Sequence, residues 1–253
     1  MNTPRVHRAV PRCGTVIGLF IASCLAVPTP AAEHAAHAAG PHGAAAAAVT
    51  PAKALERLEQ GNQRFVTGKP HAKDLQHDRL ALVGSQHPYA IVLACSDSRV
   101  APETIFDASL GELFVVRVAG NVVDDDVLGS VEYAALHLHC RLALMLGHDG
   151  CGAVKATLTG DSAPHIVALA RHIEPAASIA KAKKLDEAGT LAAAVRENVQ
   201  LQADRLTRES APLAELVKKG DLEIARGVYH LDTGRLELLA KPGATATATN
   251  PSH

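Results

Sequence analysis

The chain is poor in aromatic side chains: it has no tryptophan, three tyrosines and four phenylalanines among 253 residues. Proteins that hold single-stranded nucleic acid stack the bases on aromatic rings, so this scarcity disfavours that class. The chain also lacks an excess of positive charge, because 25 Lys and Arg stand against 26 Asp and Glu, for a formal net charge of −1. Binding to nucleic acid depends on basic residues that neutralise phosphates. We therefore expect no nucleic-acid partner.

The first residues have the composition of a secretory signal peptide. Arginines are the only charged residues within 1–12, an apolar run covers 13–27, and small residues follow it. This order is typical of export signals, and the run is shorter than the ~20 residues that a membrane span needs. We predict that residues 1–32 are removed and that the protein is periplasmic. Residues 21–24 also resemble a lipoprotein cleavage box, and only lipidation at Cys24 would give the protein a membrane partner.

Composition divides the remainder into a linker, one domain and a tail. Residues 33–50 are dominated by Ala, Gly and His, which is typical of a tether that buries little surface. Residues 51–240 carry the apolar patterns of one folded domain. Residues 241–253 consist mainly of Ala, Thr and Pro, and we expect a frayed tail there.

Short apolar runs alternate with helical patterns within the domain. Three nearly continuous runs are expected to be strands covered on both faces: residues 89–94, 113–118 and 142–146. Helical periodicity occurs before, between and after them, and residues 224–239 have the pattern of a terminal hairpin. The alternation predicts an α/β fold with a mostly parallel central sheet flanked by helices and preceded by an N-terminal helical arm.

Three cysteines remain after the predicted signal peptide: Cys95, Cys140 and Cys151. An odd number cannot pair fully within one chain, which suggests a metal for two of them. Cys95 follows the first apolar run, and His148 and Cys151 follow the third. Ligands bind beyond the carboxyl ends of parallel strands, so these positions are suited to one site. Two thiolates and one imidazole are typical of a catalytic zinc with an open fourth position. We expect Cys140, which precedes the third run, to be a buried apolar side chain.

A disulfide between Cys95 and Cys151, or a set of buried unpaired thiols, is the alternative to a metal site. Neither alternative explains why His148 lies beside Cys151, or why Asp97 and Arg99 follow Cys95 so closely.

Four motifs in register resemble the beta-class carbonic anhydrases: CSDSR at 95–99, GELFVVRVAGN at 111–121, SVEYA at 130–134 and GHDGCGAV at 147–154. The resemblance extends over about residues 85–240. It implies the fold of that family and one zinc ion per chain. The implied activity is reversible hydration of carbon dioxide to bicarbonate and a proton by a zinc-bound hydroxide. The implied assembly is a homodimer or a dimer of dimers.

The resemblance assigns the metal to Cys95, His148 and Cys151. Asp97 and Arg99 fall on the family's catalytic dyad, in which the carboxylate orients the nucleophile and the guanidinium holds the carboxylate. In a closed form of the family, Asp97 leaves Arg99 and becomes the fourth zinc ligand. We expect the open form at mildly alkaline pH, with Asp97 and Arg99 joined by a bidentate contact.

Four further positions match substrate contacts of the family. Gln86 falls on an amide that contacts bound substrate, and Phe114 and Tyr133 fall on apolar and aromatic pocket positions. Gly152 matches a backbone donor near the metal. The pocket of the family is lined from both subunits. Some bacterial members also have an inhibitory bicarbonate site built partly on tryptophan, and the absence of tryptophan here puts such a site in doubt.

Two other functions use the same ligands. One is hydrolysis of carbonyl sulfide or carbon disulfide. The shape of the pocket, and not a sequence motif, determines which of these substrates is used. The other is non-catalytic zinc binding, which would need neither Asp97 nor Arg99 beside the metal. A thiol oxidoreductase is disfavoured because the sequence has no C-x-x-C pair.

Overall fold

The structure of the protein, a computed structural model, describes residues 49–161 and 163–240. The predicted signal peptide with Cys24, residues 33–48 of the predicted linker and the tail lie outside these residues. The described part contains eight α-helices: α1 Pro51–Val66, α2 Leu75–Ala81, α3 Pro102–Ile105, α4 Asp125–Leu136, α5 Gly152–Thr159, α6 Pro164–Ala182, α7 Glu187–Glu209 and α8 Ala211–Lys219. It contains five strands: β1 Ala90–Ala94, β2 Leu113–Arg117, β3 Leu142–His148, β4 Glu223–Tyr229 and β5 Leu236–Leu238. No helix in this part combines the length and hydrophobicity that crossing a membrane requires.

The strands form one sheet in the order β2-β1-β3-β4-β5. The first four strands are mutually parallel, and β5 is antiparallel to β4. The prediction of a mostly parallel sheet with a terminal hairpin is therefore confirmed. Because β1 and β3 are neighbours, the residues that leave their carboxyl ends emerge side by side.

The two central strands are buried on both faces, as their continuous apolar sequences predict. In β1, Ile91 and Leu93 contribute to a core on one face, together with residues of the helices from α4 to α8. Ala90, Val92 and Ala94 point to the other face, where α1 and α3 pack. Alternation of successive side chains across a strand accounts for this division. The site at the strand ends thus rests on strands that are covered on both sides.

The helical arm α1 begins where the sequence has a helix-start signal. The Thr50 hydroxyl accepts a hydrogen bond from the backbone N–H of Lys53 at 3.3 Å, and Pro51 occupies the start of the helix. Later in the arm, the buried Asn62 donates to the carbonyl of Gly234 at 2.8 Å and accepts from the N–H of Leu236 at 2.8 Å. These bonds tie the arm to the terminal hairpin.

One element differs from the sequence prediction. Strand β3 continues to His148, which pairs with Tyr229, whereas we expected His148 in the loop after the strand. Pairing with β4 extends the strand because the β4 sequence offers a partner for each added residue. The helical periodicity that follows the third apolar run is confirmed, and it corresponds to α5, α6, α7 and α8. Ser210, whose hydroxyl accepts from the N–H of Leu213, marks the start of the last of them.

Candidate active site

The three predicted metal ligands meet at the carboxyl ends of two adjacent strands. Cys95 follows β1 directly, His148 is the last residue of β3, and Cys151 caps the N-terminus of α5. The ligand atoms of the three side chains lie within 4.8 Å of one another, and all three residues are buried. The parallel sheet brings them together, because Ala94 of β1 pairs with Leu146 of β3 just before the ligands.

The His148 imidazole has the orientation of a metal ligand. Its Nδ1 lies 2.9 Å from the carbonyl oxygen of Asp149, so Nδ1–H donates there and the lone pair of Nε2 faces the sulfur atoms. Within the described residues, Nε2 is buried and has no hydrogen-bond partner. A buried polar nitrogen without a partner lowers the free energy of unfolding by ~1–3 kcal/mol, and a bound metal ion would offset this loss. A histidine ligand commonly donates its other ring N–H to a carbonyl in this way.

The two thiols are close but not bonded. Their sulfur atoms lie 3.9 Å apart, whereas a disulfide requires about 2.05 Å, so the disulfide alternative is wrong. The contact between the thiols lowers the pKa of Cys95 and raises the pKa of Cys151, because the thiol of one donates to the sulfur of the other. The pair therefore shares one proton. Both thiols can be ionised together only if a cation replaces that proton, as zinc does in sites of this donor set.

Asp97 lies beside this cluster and is held by Arg99. Nε of Arg99 lies 2.9 Å from Oδ1 of Asp97, and Nη2 lies 2.8 Å from Oδ2. The backbone N–H of Arg99 donates to Oδ1 as well, at 3.0 Å. These hydrogen bonds hold the pKa of Asp97 well below its usual value. Oδ2 lies 3.9 Å from Nε2 of His148, so the carboxylate borders the cluster while it remains paired with Arg99.

Arg117, at the end of β2, fixes the loop that carries Asp97. Its Nε donates to the carbonyl of Cys95 at 3.1 Å, and its Nη2 donates to the carbonyl of Asp97 at 2.7 Å. Sequence reasoning assigned no role to this residue. The available signal was a single charged side chain within the apolar run LFVVRV, at the carboxyl end of a strand.

A second group overlooked in the sequence lies behind the metal loop. His230 contacts the Asp149 carboxylate through Nδ1 at 2.8 Å and the Glu237 carboxylate through Nε2 at 3.0 Å. Arg196 makes a bidentate pair with Glu237, at 2.8 and 2.6 Å. The backbone N–H of Asp149 also donates to the carbonyl of Tyr229 at 3.1 Å. The residue that follows His148 is thereby anchored to β4 and the terminal hairpin.

The four positions matched to substrate contacts occupy different parts of the chain. Gly152 begins α5 next to Cys151, so the first amides of that helix border the cluster. The rings of Phe114 and Tyr133 lie 6.4 Å apart at the β2 edge, and Tyr133 is 47% exposed. Gln86 is exposed in the loop before β1, and among the described residues its side chain forms no hydrogen bond with the cluster.

Comparisons with known proteins agree with this arrangement. Residues 90–236 match the family model for carbonic anhydrase. A carbonic anhydrase from Mycolicibacterium smegmatis is 37% identical over 199 residues, which are 76% of this chain and 95% of that protein. The solved beta-carbonic anhydrase CcaA superimposes with a TM-score of 0.61 at 26% identity and covers 75% of this chain and 92% of its own.

The beta-carbonic anhydrase of Coccomyxa, solved in complex with acetazolamide, also has a TM-score of 0.61. It is 27% identical, and the match covers 73% of this chain and 86% of that one. The family match includes both strands whose ends carry the cluster, and the structural likeness extends over most of the described residues. The chain therefore belongs to the beta-class carbonic anhydrases, the enzymes that hydrate carbon dioxide.

Proposed function

We propose that the enzyme converts carbon dioxide reversibly to bicarbonate and a proton at one zinc ion held by Cys95, His148 and Cys151. The observation that carries this assignment is the buried cluster of two sulfur atoms and one imidazole nitrogen within 4.8 Å. Zinc lowers the pKa of a bound water from 15.7 to about 7 and so supplies a nucleophile at neutral pH. The two thiolates balance the charge of the ion, which explains how a buried site can accept it.

Asp97 is proposed to orient the nucleophile. Oδ1 already accepts two hydrogen bonds from Arg99, whereas Oδ2 accepts one and lies on the side of His148. The free accepting capacity of Oδ2 allows it to take a hydrogen bond from the nucleophile and to fix its direction. Arg99 keeps the carboxylate ionised and away from the fourth ligand position. A storage site for zinc would have no use for such a pair.

The substrate itself needs little recognition, since carbon dioxide is small, uncharged and apolar. The product carries a negative charge, which partial positive charge at a helix N-terminus favours. We assign this task to the backbone N–H of Gly152, at the start of α5. Carbon dioxide would reach the cluster through a pocket whose apolar side includes Phe114 and Tyr133.

We propose a homodimer formed at the β2 edge of the sheet. Within the described residues β2 pairs with β1 alone, and Tyr133 and Leu136 beside it are 47% and 39% exposed. Open strand edges and clustered exposed apolar side chains are features of association surfaces. In this assembly, Gln86, Phe114 and Tyr133 of one protomer would complete the pocket of its partner.

We also propose export to the periplasm with removal of residues 1–32. Support comes from the sequence pattern of this segment, which lies outside the described residues. Mass spectrometry of the mature protein tests the proposal. A free N-terminus near residue 32 or 33 is expected, whereas a lipid on Cys24 would replace periplasmic release by membrane anchoring.

The decisive experiment is stopped-flow hydration of carbon dioxide together with measurement of zinc per chain. We expect one zinc per chain and hydration activity at neutral and alkaline pH. One zinc per chain without hydration activity at any of these pH values would overturn the proposed mechanism. Parallel assays with carbonyl sulfide and carbon disulfide measure the substrate preference.

A further inference from the structure

The backbone of Gly120 contacts one of the metal ligands. Its N–H donates to Sγ of Cys95 at 3.3 Å, and both groups are buried. Gly120 has φ +72, in the left-handed region that favours glycine. A Cβ at this position would approach Cδ1 of Ile173 to 2.7 Å and Cβ of Ala153 to 3.1 Å. The conformation that aims the N–H at the sulfur is therefore available to glycine here and not to a larger residue.

The carbonyl of the same glycine is held from helix α7. Nδ2 of Asn198 donates to the oxygen of Gly120 at 2.8 Å, and Asn198 is 1% exposed. One turn later, Nε2 of Gln202 donates to Oδ1 of Asn198 at 3.2 Å and to the carbonyl of His172 at 2.9 Å. Oε1 of Gln202 accepts from the N–H of Val123 at 2.8 Å. The two amides thus form a buried network whose members are paired.

The N–H and the carbonyl of a residue flank its two rotatable backbone bonds. Gly120 needs external support because glycine has the widest choice of backbone conformations. The bond from Asn198 fixes the carbonyl end, and the bond to Cys95 is then set by the geometry of the turn. If the carbonyl is released, the N–H loses its fixed direction toward the sulfur.

We propose that Asn198 is a positioning residue for the metal centre, which holds Gly120 so that its N–H withdraws charge from the Cys95 sulfur. A hydrogen bond to a thiolate weakens its donation to a metal and leaves the metal a stronger electron acceptor. A site with two thiolates needs such a correction, since thiolates donate more charge than imidazoles. This inference rests on the zinc site of the proposed function.

The test uses the full-length enzyme with cobalt in place of zinc, and the variants Asn198→Leu and Asn198→Ser. Leucine has a similar size but no donor, and serine retains a shorter donor. We expect the sulfur-to-cobalt charge-transfer band to move to longer wavelength, more in the leucine variant than in the serine variant. The zinc enzymes should show a pH–rate profile displaced to higher pH, because a stronger sulfur donor makes zinc a weaker electron acceptor.

The matched control is Leu206→Val, a buried substitution further along α7. It should lower the melting temperature without moving the band or the pH–rate profile. The inference is overturned if both Asn198 variants keep the wild-type band and profile, or if neither variant folds, since Asn198 would then have a purely structural role. Failure of the proposed function is distinguishable, because it would appear in the wild type as absent thiolate ligation or absent hydration.

Discussion

Arg99 forms a bidentate ion pair with Asp97, with Nε 2.9 Å from Oδ1 and Nη2 2.8 Å from Oδ2. The side chain of Arg99 is 58% exposed, whereas that of Asp97 is 16% exposed. The guanidinium therefore reaches in from solvent and holds the carboxylate at the border of the buried cluster. In the proposed mechanism, this pairing keeps the Asp97 carboxylate away from the fourth metal position.

The variant Asp97→Asn should keep zinc and lose turnover. The amide retains the size of the side chain but replaces one accepting oxygen by a donor, so the nucleophile loses its fixed orientation. We expect kcat to fall by ~10²-fold or more, with zinc per chain unchanged. Stopped-flow hydration and metal analysis measure the two quantities.

The control for this variant is Asp221→Asn. Asp221 also pairs with an arginine, Arg141, at 2.6 Å. This exposed pair lies before β3 and β4, at the opposite end of these strands from the cluster. The kcat of the Asp221→Asn variant should equal that of the wild type. Full activity in Asp97→Asn would remove the role assigned to that carboxylate.

Substitution of any metal ligand should abolish zinc binding. In Cys95→Ser, His148→Ala and Cys151→Ser, one of three donor atoms is lost and a buried cluster is left incomplete. We expect no stoichiometric zinc, no hydration and a lower melting temperature, because a metal that binds only the folded state stabilises it. Chelation of zinc from the wild type should produce a similar fall in melting temperature.

Cys140→Ser is the matched control for the cysteine variants. The Cys140 thiol is buried and donates to the carbonyl of Pro88 at 3.2 Å, a bond that a serine hydroxyl can replace. Burial raises the pKa of this thiol to about 12, so it stays protonated in the working range. Zinc content and activity should match the wild type, and loss of zinc here would place Cys140 in the metal site.

His230 should make stability depend on pH near and above neutrality. Burial opposes its protonation, but the hydrogen bonds to Asp149 and Glu237 outweigh burial and raise its pKa above the ordinary 6.5. The charged form is thus the stabilising one. The stabilisation of the folded state by charged His230 is complete below pH 6.5, and it is lost as the pH rises through the raised pKa.

The measurement compares His230→Gln with wild type, both zinc-loaded, by chemical denaturation across this range. The free energy of unfolding of the wild type should exceed that of the variant by ~1 kcal/mol at the acidic end. This difference should shrink toward alkaline pH. His87→Gln, at an exposed histidine that contacts Ser85, should show no such trend. A difference that grows with pH would contradict the assignment of the charged form.

The proposed dimer predicts that a charge on the β2 edge separates the protomers. Leu136→Glu places a carboxylate in the apolar patch beside Tyr133, and burial of that charge in an interface would be strongly unfavourable. We expect the mass measured by light scattering to fall from dimer to monomer, with loss of hydration activity because the pocket would be incomplete.

Leu185→Glu is the control, since Leu185 is similarly exposed, at 50%, but lies in the connection between α6 and α7. It should leave the mass unchanged. A fully active monomer in the Leu136 variant would show that each chain holds a complete site.

The sequence by itself predicted the scaffold and the three residues that form the buried cluster. The apolar runs of β1 and β3 have no polar face, and strands of this kind must lie in the centre of a covered sheet. Because Cys95 and His148 come at the carboxyl ends of these runs, the parallel sheet forces them together. The position of Cys151, three residues beyond His148, follows from the same local order.

Only the tertiary structure decided which side chains hold the backbone around those residues. Arg117 and Asn198 reach their backbone partners from other elements, and Asn198 contacts Gly120 across a sequence separation of 78 residues. The hydrophobic periodicity of a sequence does not predict a contact between residues so far apart. The sequence also left open whether Asp97 pairs with Arg99 or binds the metal. One carboxylate can satisfy either partner, and the choice depends on where the fold places the guanidinium.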